Sequence, residues 1–346
     1  MALSKSSYGS VGVCRLYVDY LQYCKAIGYI DSYELNNLQG DEKSAWDYNP
    51  ANMQTYTVNT DSQHIGWLIN FKNGNRQFSN FLGTINYFGV LGHDIGNSSA
   101  DSIKIQLGEH SEQEGVSLVG DVSSVGYTLK ELQDSNNYNG SDNLSSLYIY
   151  LKDEQRFAVN DEINVGSLVV GRYFDFPHSA NLSMNVKRNY EGITTKNTIS
   201  GRSISNINYY KQPHWGNYPA WTNIESSEAS DDTDFRPVSQ GGRREWDLTW
   251  SFLSKEDTFP KTSEDTMAGI YDTSNGAFDG FDGSVHQGNI MGWLTTFSMG
   301  GNIPMILQVD KTKQEFAKVK INQKSISIQQ SAPSLYTCKL KLTEVW

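Results

Sequence analysis

Cysteine, charge and long apolar runs are all scarce in this chain, and each scarcity excludes a class of protein. Its 346 residues include three cysteines, Cys14, Cys24 and Cys338, with no CxxC spacing. An odd, scattered set reads as three reduced, buried small hydrophobes rather than a disulfide frame. Only 19% of residues are charged, and acids outnumber bases 39 to 28, for a formal net charge of −11. That balance argues against a general binder of nucleic acid or of an anionic membrane. No apolar run approaches the roughly 20 residues that span a bilayer, so no membrane insertion is expected. Met1-Ala2-Leu3-Ser4-Lys5 lacks the basic-then-apolar start of a secretory signal, so synthesis in a cytoplasm is expected.

Signatures of catalysis are missing as well. The six histidines, at 64, 93, 110, 178, 214 and 286, show no HxxxH, HxH or HExxH spacing. A zinc site would have to be assembled entirely by tertiary contact. No GxxxxGK[ST], GxGxxG or GxSxG occurs, so nucleotide binding and a nucleophile elbow lack support. Asp231-Asp232-Thr233-Asp234 and Asp279-Gly280-Phe281-Asp282-Gly283-Ser284 are oxygen-rich but lack the EF-hand pattern with its closing Glu, and read as solvated loops. His93-Asp94, following Gly92 and preceding Gly96, reads as a β corner whose side chains bond backbone groups, not as an acid–base pair. The expectation is a non-enzyme with no cofactor and no metal.

What the chain has in quantity is Tyr, Trp, Gly, Asn and Ser, which suit strands joined by tight turns. The sharpest signal is Arg243 to Phe252. Trp246, Leu248, Trp250 and Phe252 alternate with Glu245, Asp247, Thr249 and Ser251, the period of a half-buried antiparallel strand. These four side chains are expected in the core. Further strands are predicted at 65–71, 85–94, 103–107, 147–151 and 163–170, a spacing that implies a β-sandwich or jelly roll over residues 1–175. Arg172 to His178 marks a junction, since Pro177 is unsuited to a central strand. Leu182, Met184 and Val186 alternate as a fresh strand. Residues 40–63, 189–240 and 255–288 read as loop. Ile290, Trp293, Leu294 and Phe297 share one face of a predicted helix that Gly300-Gly301 ends. Strands follow at 303–309, 317–321, 326–328 and 336–342.

Trp215, Tyr218 and Trp221 lie among Gly and Pro in the 189–240 segment. They form either an aromatic platform for a ligand or neighbouring subunit, or a loop pinned to the core by its own rings.

Residues 180–346 resemble the tail-tube-like split barrel of the distal tail and minor tail proteins of tailed bacteriophages. The matching pieces are Trp246-Asp247-Leu248-Thr249-Trp250, Gly292-Trp293-Leu294 to Gly301, Ile303-Pro304-Met305-Ile306-Leu307, and Leu340 to Trp346. The first half is similar, more loosely, to galactose-binding-like or discoidin-like jelly rolls, through Asn86 to Asp94 and Ile163 to Gly171; Asp94 stands where that fold usually has Asn. The expected fold is therefore mainly β: a jelly roll over 1–175, then an α+β split barrel over 176–346 with one main helix and long insertions. The resemblance implies a structural protein of the virion tail, at the distal tail or baseplate. Its partners would be copies of itself and other tail proteins. The competing expectation is a module that binds host-surface glycans through the jelly roll, since a fold alone does not convey function.

Overall fold

The computed structural model describes residues 12–50, 52–72, 85–93, 95, 103–108, 118–121, 127–131, 146–189, 193–207, 243–259, 271–272, 277–278, 297–313 and 316–345. In chain order the elements are β1 (Arg15–Asp19), helix α1 (Tyr20–Ala26), β2 (Ile30–Asn36), β3 (Leu38–Gln39), β4 (Gln54–Val58), β5 (Ser62–Phe71), β6 (Tyr87–His93), β7 (Lys104–Gly108), β8 (Leu118–Asp121), β9 (Tyr127–Glu131), β10 (Ser146–Phe157) and β11 (Glu162–Asp175). There follow β12 (Asn185–Asn189), β13 (Ile193–Asn197), β14 (Ser203–Ile207), β15 (Arg243–Leu253), helix α2 (Lys255–Thr258), β16 (Tyr271–Asp272), β17 (Ala277–Phe278), β18 (Met305–Gln308), β19 (Phe316–Ile321), β20 (Ser327–Ala332) and β21 (Leu335–Glu344). The chain is mainly β, and its described strands pair antiparallel throughout.

Two sheets build the first half. β2, β5, β10, β7 and β8 form one, and β11 with β6, β9, β4 and β3 belongs to the other. Alternation aims Ile65, Trp67 and Ile69 of β5 and Leu147, Ile149 and Leu151 of β10 into a core shared with Phe88, Val90, Leu168 and Val170 of the facing sheet. Trp67 meets Tyr56 edge to face across that gap, at 5.3 Å between ring centres. This face-to-face packing is that of a β-sandwich.

The second sheet does not stop at the 175/176 boundary expected between halves. It has twelve strands, and its main path runs β12-β15-β21-β19-β18-β1-β11-β4-β3. The link is β1, with Tyr17 opposite Tyr173 of β11 on one side and Ile306 of β18 on the other. Backbone hydrogen bonds thus run unbroken from the first half into the second. Gly171 makes the close approach possible: a Cβ there would lie 2.0 Å from the Val18 carbonyl oxygen. Gly171→Ala is expected to destabilise the fold by about 1–3 kcal/mol through this overpacking, measured as a lower urea midpoint at unchanged m-value.

Several local expectations need correction. Trp246, Leu248 and Trp250 are buried, but Phe252 is 74% exposed and Leu253 takes the inward position. On β21 the pairing passes from Trp250–Cys338 to Leu253–Tyr336, so β15 holds one extra residue there. That bulge inverts the alternation and puts Phe252 at φ 64°. Leu182 lies ahead of β12, which starts only at Asn185, and is exposed; Val186, on β12 at the edge of the sheet, is also exposed. Helix α1, where the sequence predicts no element, follows β1 directly, with Asp19 capping it by accepting from the Leu21 N–H at 2.9 Å. β4 falls in the expected 40–63 loop. β13 and β14 form a separate two-stranded ribbon within the expected 189–240 loop.

Phe297 is buried against Tyr20 and Tyr23, with ring centres at 5.2 and 5.5 Å. Trp293 and the rest of the expected 290–297 helix lie outside the described residues. Gly300 and Gly301 do turn the chain at φ 70° and 94°.

Candidate functional site

The aromatic candidates Trp215, Tyr218 and Trp221 lie outside the described residues, as do Asp94 and the oxygen-rich loops at 231–234 and 279–284. His93 ends β6 in a buried position, its Nε2 3.0 Å from Thr128 Oγ1 on β9. Gly92 beside it has φ 68°, and a Cβ there would lie 2.2 Å from the Pro50 carbonyl oxygen. The positive φ of Gly92 fits a turn of the chain, but His93 bonds a side-chain hydroxyl and not the backbone group expected of it. Among the described residues no three His, Cys, Asp or Glu side chains group as metal ligands. No helix among them is long and apolar enough to cross a membrane.

The densest polar arrangement sits where β1 joins the two halves. Register sets Arg15 between Asp175 of β11 and Gln308 of β18, and Tyr17 between Tyr173 and Ile306. Arg15 binds Asp175 through two nitrogens, Nε to Oδ1 at 2.5 Å and Nη2 to Oδ2 at 3.0 Å, and reaches Glu131 of β9 through Nη1 at 2.6 Å. Its guanidinium lies over the Tyr173 ring, 3.8 Å from the centre. The Tyr17 hydroxyl lies in range of Glu131 Oε1 and, at 2.8 Å, of Gln308 Oε1. Lys311 Nζ adds a bond to Asp175 at 3.1 Å.

Burial alone would push the Asp175 carboxyl up, but the Arg15 and Lys311 bonds outweigh it and hold it below the usual carboxylate range. Burial, then the Glu131 charge, keeps the Tyr17 phenol well above its usual value. The site therefore holds an ionised Asp175 and a protonated Tyr17 at neutral pH, both already engaged. Such a set anchors strands to one another; it offers neither a free nucleophile nor a proton poised for transfer. Sequence reasoning missed it because Arg15 lies 160 residues from Asp175 and 116 from Glu131. The alternation of Arg15, Tyr17 and Asp19 along β1 was the available signal.

A second feature is apolar and lies on the surface. Phe252, Leu182 and Val186 are exposed at the β15–β12 edge of the large sheet. Asn181 bonds the Thr249 carbonyl oxygen through its N–H and Ser251 Oγ through its side chain, which sets Leu182 beside the same end of β15 as Phe252. The ribbon that follows carries exposed Ile199 at its turn and Ile204 on β14.

No protein family matches this chain, and no curated protein does. Among solved structures it is similar to a GH29 fucosidase mutant of Ruminococcus gnavus in complex with fucose, at a TM-score of 0.28 and 8% identity over 43% of this chain. The chain spans about a quarter (26%) of that protein's length. A likeness this weak carries no argument about fold or activity.

Proposed function

We propose that the chain is a structural component of a tailed-phage virion, a distal-tail or baseplate ring or adaptor that works by self-assembly and protein–protein docking. The observation that supports it most is the β12 edge. An edge strand presents unpaired backbone groups to any neighbouring chain, and here β12 carries the exposed side chain of Val186, while Leu182, just ahead of β12, and Phe252 are exposed towards the other end of β15. The adjoining β13–β14 ribbon, with Ile199 and Ile204 exposed, belongs to a class of element that is marginal in water without support. Assignment to a phage tail rests on the sequence resemblance over residues 180–346.

The test is oligomeric state. Sedimentation velocity and negative-stain microscopy of the full chain are expected to show closed rings that grow with concentration. Leu182→Glu with Phe252→Glu is expected to weaken that assembly at least about tenfold while leaving folding stability within about 0.5 kcal/mol, the usual range for surface changes. A wild-type chain that stays monomeric up to high concentration, alone and with tail proteins, would remove the reading.

A further inference from the structure

The large sheet and the five-stranded sheet each end in a strand with one partner among the described residues. β12 closes the large sheet against β15, and β2 closes the five-stranded sheet against β5. The two edges differ in charge. β2 carries Asp31 and Glu34 and no base, and none of its seven residues is buried. β12 carries Lys187 and no acid, and Asn185, Val186, Lys187 and Asn189 are all exposed. The contacts that the two central charges make within the chain leave both at the surface. Lys187 Nζ lies 3.5 Å from Asp247 Oδ2 with much of both side chains in solvent, a pair worth little in water. Glu34 Oε1 accepts from Asn70 Nδ2 at 2.6 Å, and the residue stays exposed.

We propose that β12 of one copy pairs antiparallel with β2 of a second copy, so that a basic edge meets an acidic one. The pairing rests on the reading that the chain assembles with itself, and it names the two surfaces that meet. With Glu34 opposite Lys187, antiparallel register also sets Leu35 opposite Val186, and Ser32 and Asn36 opposite Asn189 and Asn185. β2 alternates regularly from Ser32 to Asn36, so the ion pair and the polar pairs share one face and the apolar pair takes the other. Backbone hydrogen bonds between the edges supply attraction, and the side-chain pairs supply the register.

Pairing of like edges fits worse. Two β12 strands in the antiparallel register that uses all five residues set Lys187 directly against Lys187, which is unfavourable. A contact between two different surfaces has a further consequence. Each added copy leaves β2 free at one end and β12 free at the other, so growth continues until a ring closes or a filament forms.

The experiment uses the full chain with Glu34→Lys, with Lys187→Glu and with both, in low salt so that exposed charges stay unscreened. Sedimentation velocity is expected to show each single change weakening assembly by about fivefold to thirtyfold, the swing from attraction to repulsion at one cross-strand pair. The double swap is expected to recover assembly. An equimolar mixture of the two single variants is expected to recover it as well, as alternating 1:1 species, because each altered edge then meets its opposite on the other variant. Urea midpoints check that the variants fold. Should one not fold, cysteine variants decide the matter, since the native cysteines are all buried. Glu34→Cys mixed with Lys187→Cys is expected to give a mixed disulfide dimer under mild oxidation, and absence of that mixed dimer overturns the pairing. A wild type that assembles while the single variants assemble equally well overturns the pairing and leaves self-assembly standing. Losses that neither the double swap nor the mixture recovers overturn it too, and a wild type that stays monomeric removes both readings.

Discussion

Trp250→Ala is expected to cost about 3–5 kcal/mol, enough to leave a chain of ordinary stability close to unfolding at 37 °C. Trp250 is fully buried, and its ring lies flat on Phe176, 3.9 Å between centres and 6° from parallel. Phe176 is the first residue after β11, and its N–H bonds the Cys14 carbonyl oxygen just ahead of β1. One ring pair therefore ties β15 to the β1–β11 joint, and truncation would leave a void bordered by strands from both halves. The neighbouring control separates this account from a simple two-residue alternation. Phe252→Ala, two positions along the same strand, is expected to change stability by less than about 0.5 kcal/mol, because that ring is 74% exposed at the bulge. Guanidinium unfolding of the two variants checks both. Equal losses would mean that β15 keeps the regular register and Phe252 points inward.

That contrast also marks how far the sequence can be read. Trp246, Leu248 and Trp250 were legible because one face of β15 meets a core and the other does not, so burial writes itself into alternation. Phe252 was not legible, because the extra residue is set by pairing with Cys338 and Tyr336 some 85 residues later. β5 and β21 follow the same rule as β15, whereas β10 is buried on both faces from Ser146 to Leu151. Helix α1 escaped notice because Tyr20-Leu21-Gln22-Tyr23-Cys24 suits a strand as well as a helix; the Asp19 cap and burial of Tyr20, Leu21 and Cys24 decide it. The β13–β14 ribbon hides in Thr, Ser and Asn, among which Ile193, Ile204 and Ile207 are too few to mark a buried face. The Arg15 site was the least legible of all. No local spacing relates residues 15, 131 and 175, which meet only after β1, β9 and β11 have found their places.

The second large effect is expected at the far end of the same sheet, where Arg244→Ala should cost about 3–5 kcal/mol. Arg244, the second residue of β15, meets Glu344, the last residue of β21. The contact is two-pronged, Nε to Oε2 at 3.1 Å and Nη2 to Oε1 at 2.8 Å, and the Arg244 backbone N–H adds a bond to Oε2 at 2.9 Å. The Glu344 side chain is only 1% exposed and that of Arg244 12%, so water cannot replace the guanidinium once it is gone. The loss would come mostly from the stranded carboxylate rather than from the missing attraction. The same logic fixes the result of a double substitution. Arg244→Met with Glu344→Leu removes both charges and is expected to cost far less than Arg244→Ala alone, a coupling of at least about 2 kcal/mol in a double-mutant cycle. Additive losses across that cycle would show that the two side chains act independently. In that case the closure of β15 onto β21 would rest on the apolar ladder of Trp246–Leu342 and Leu248–Leu340 alone.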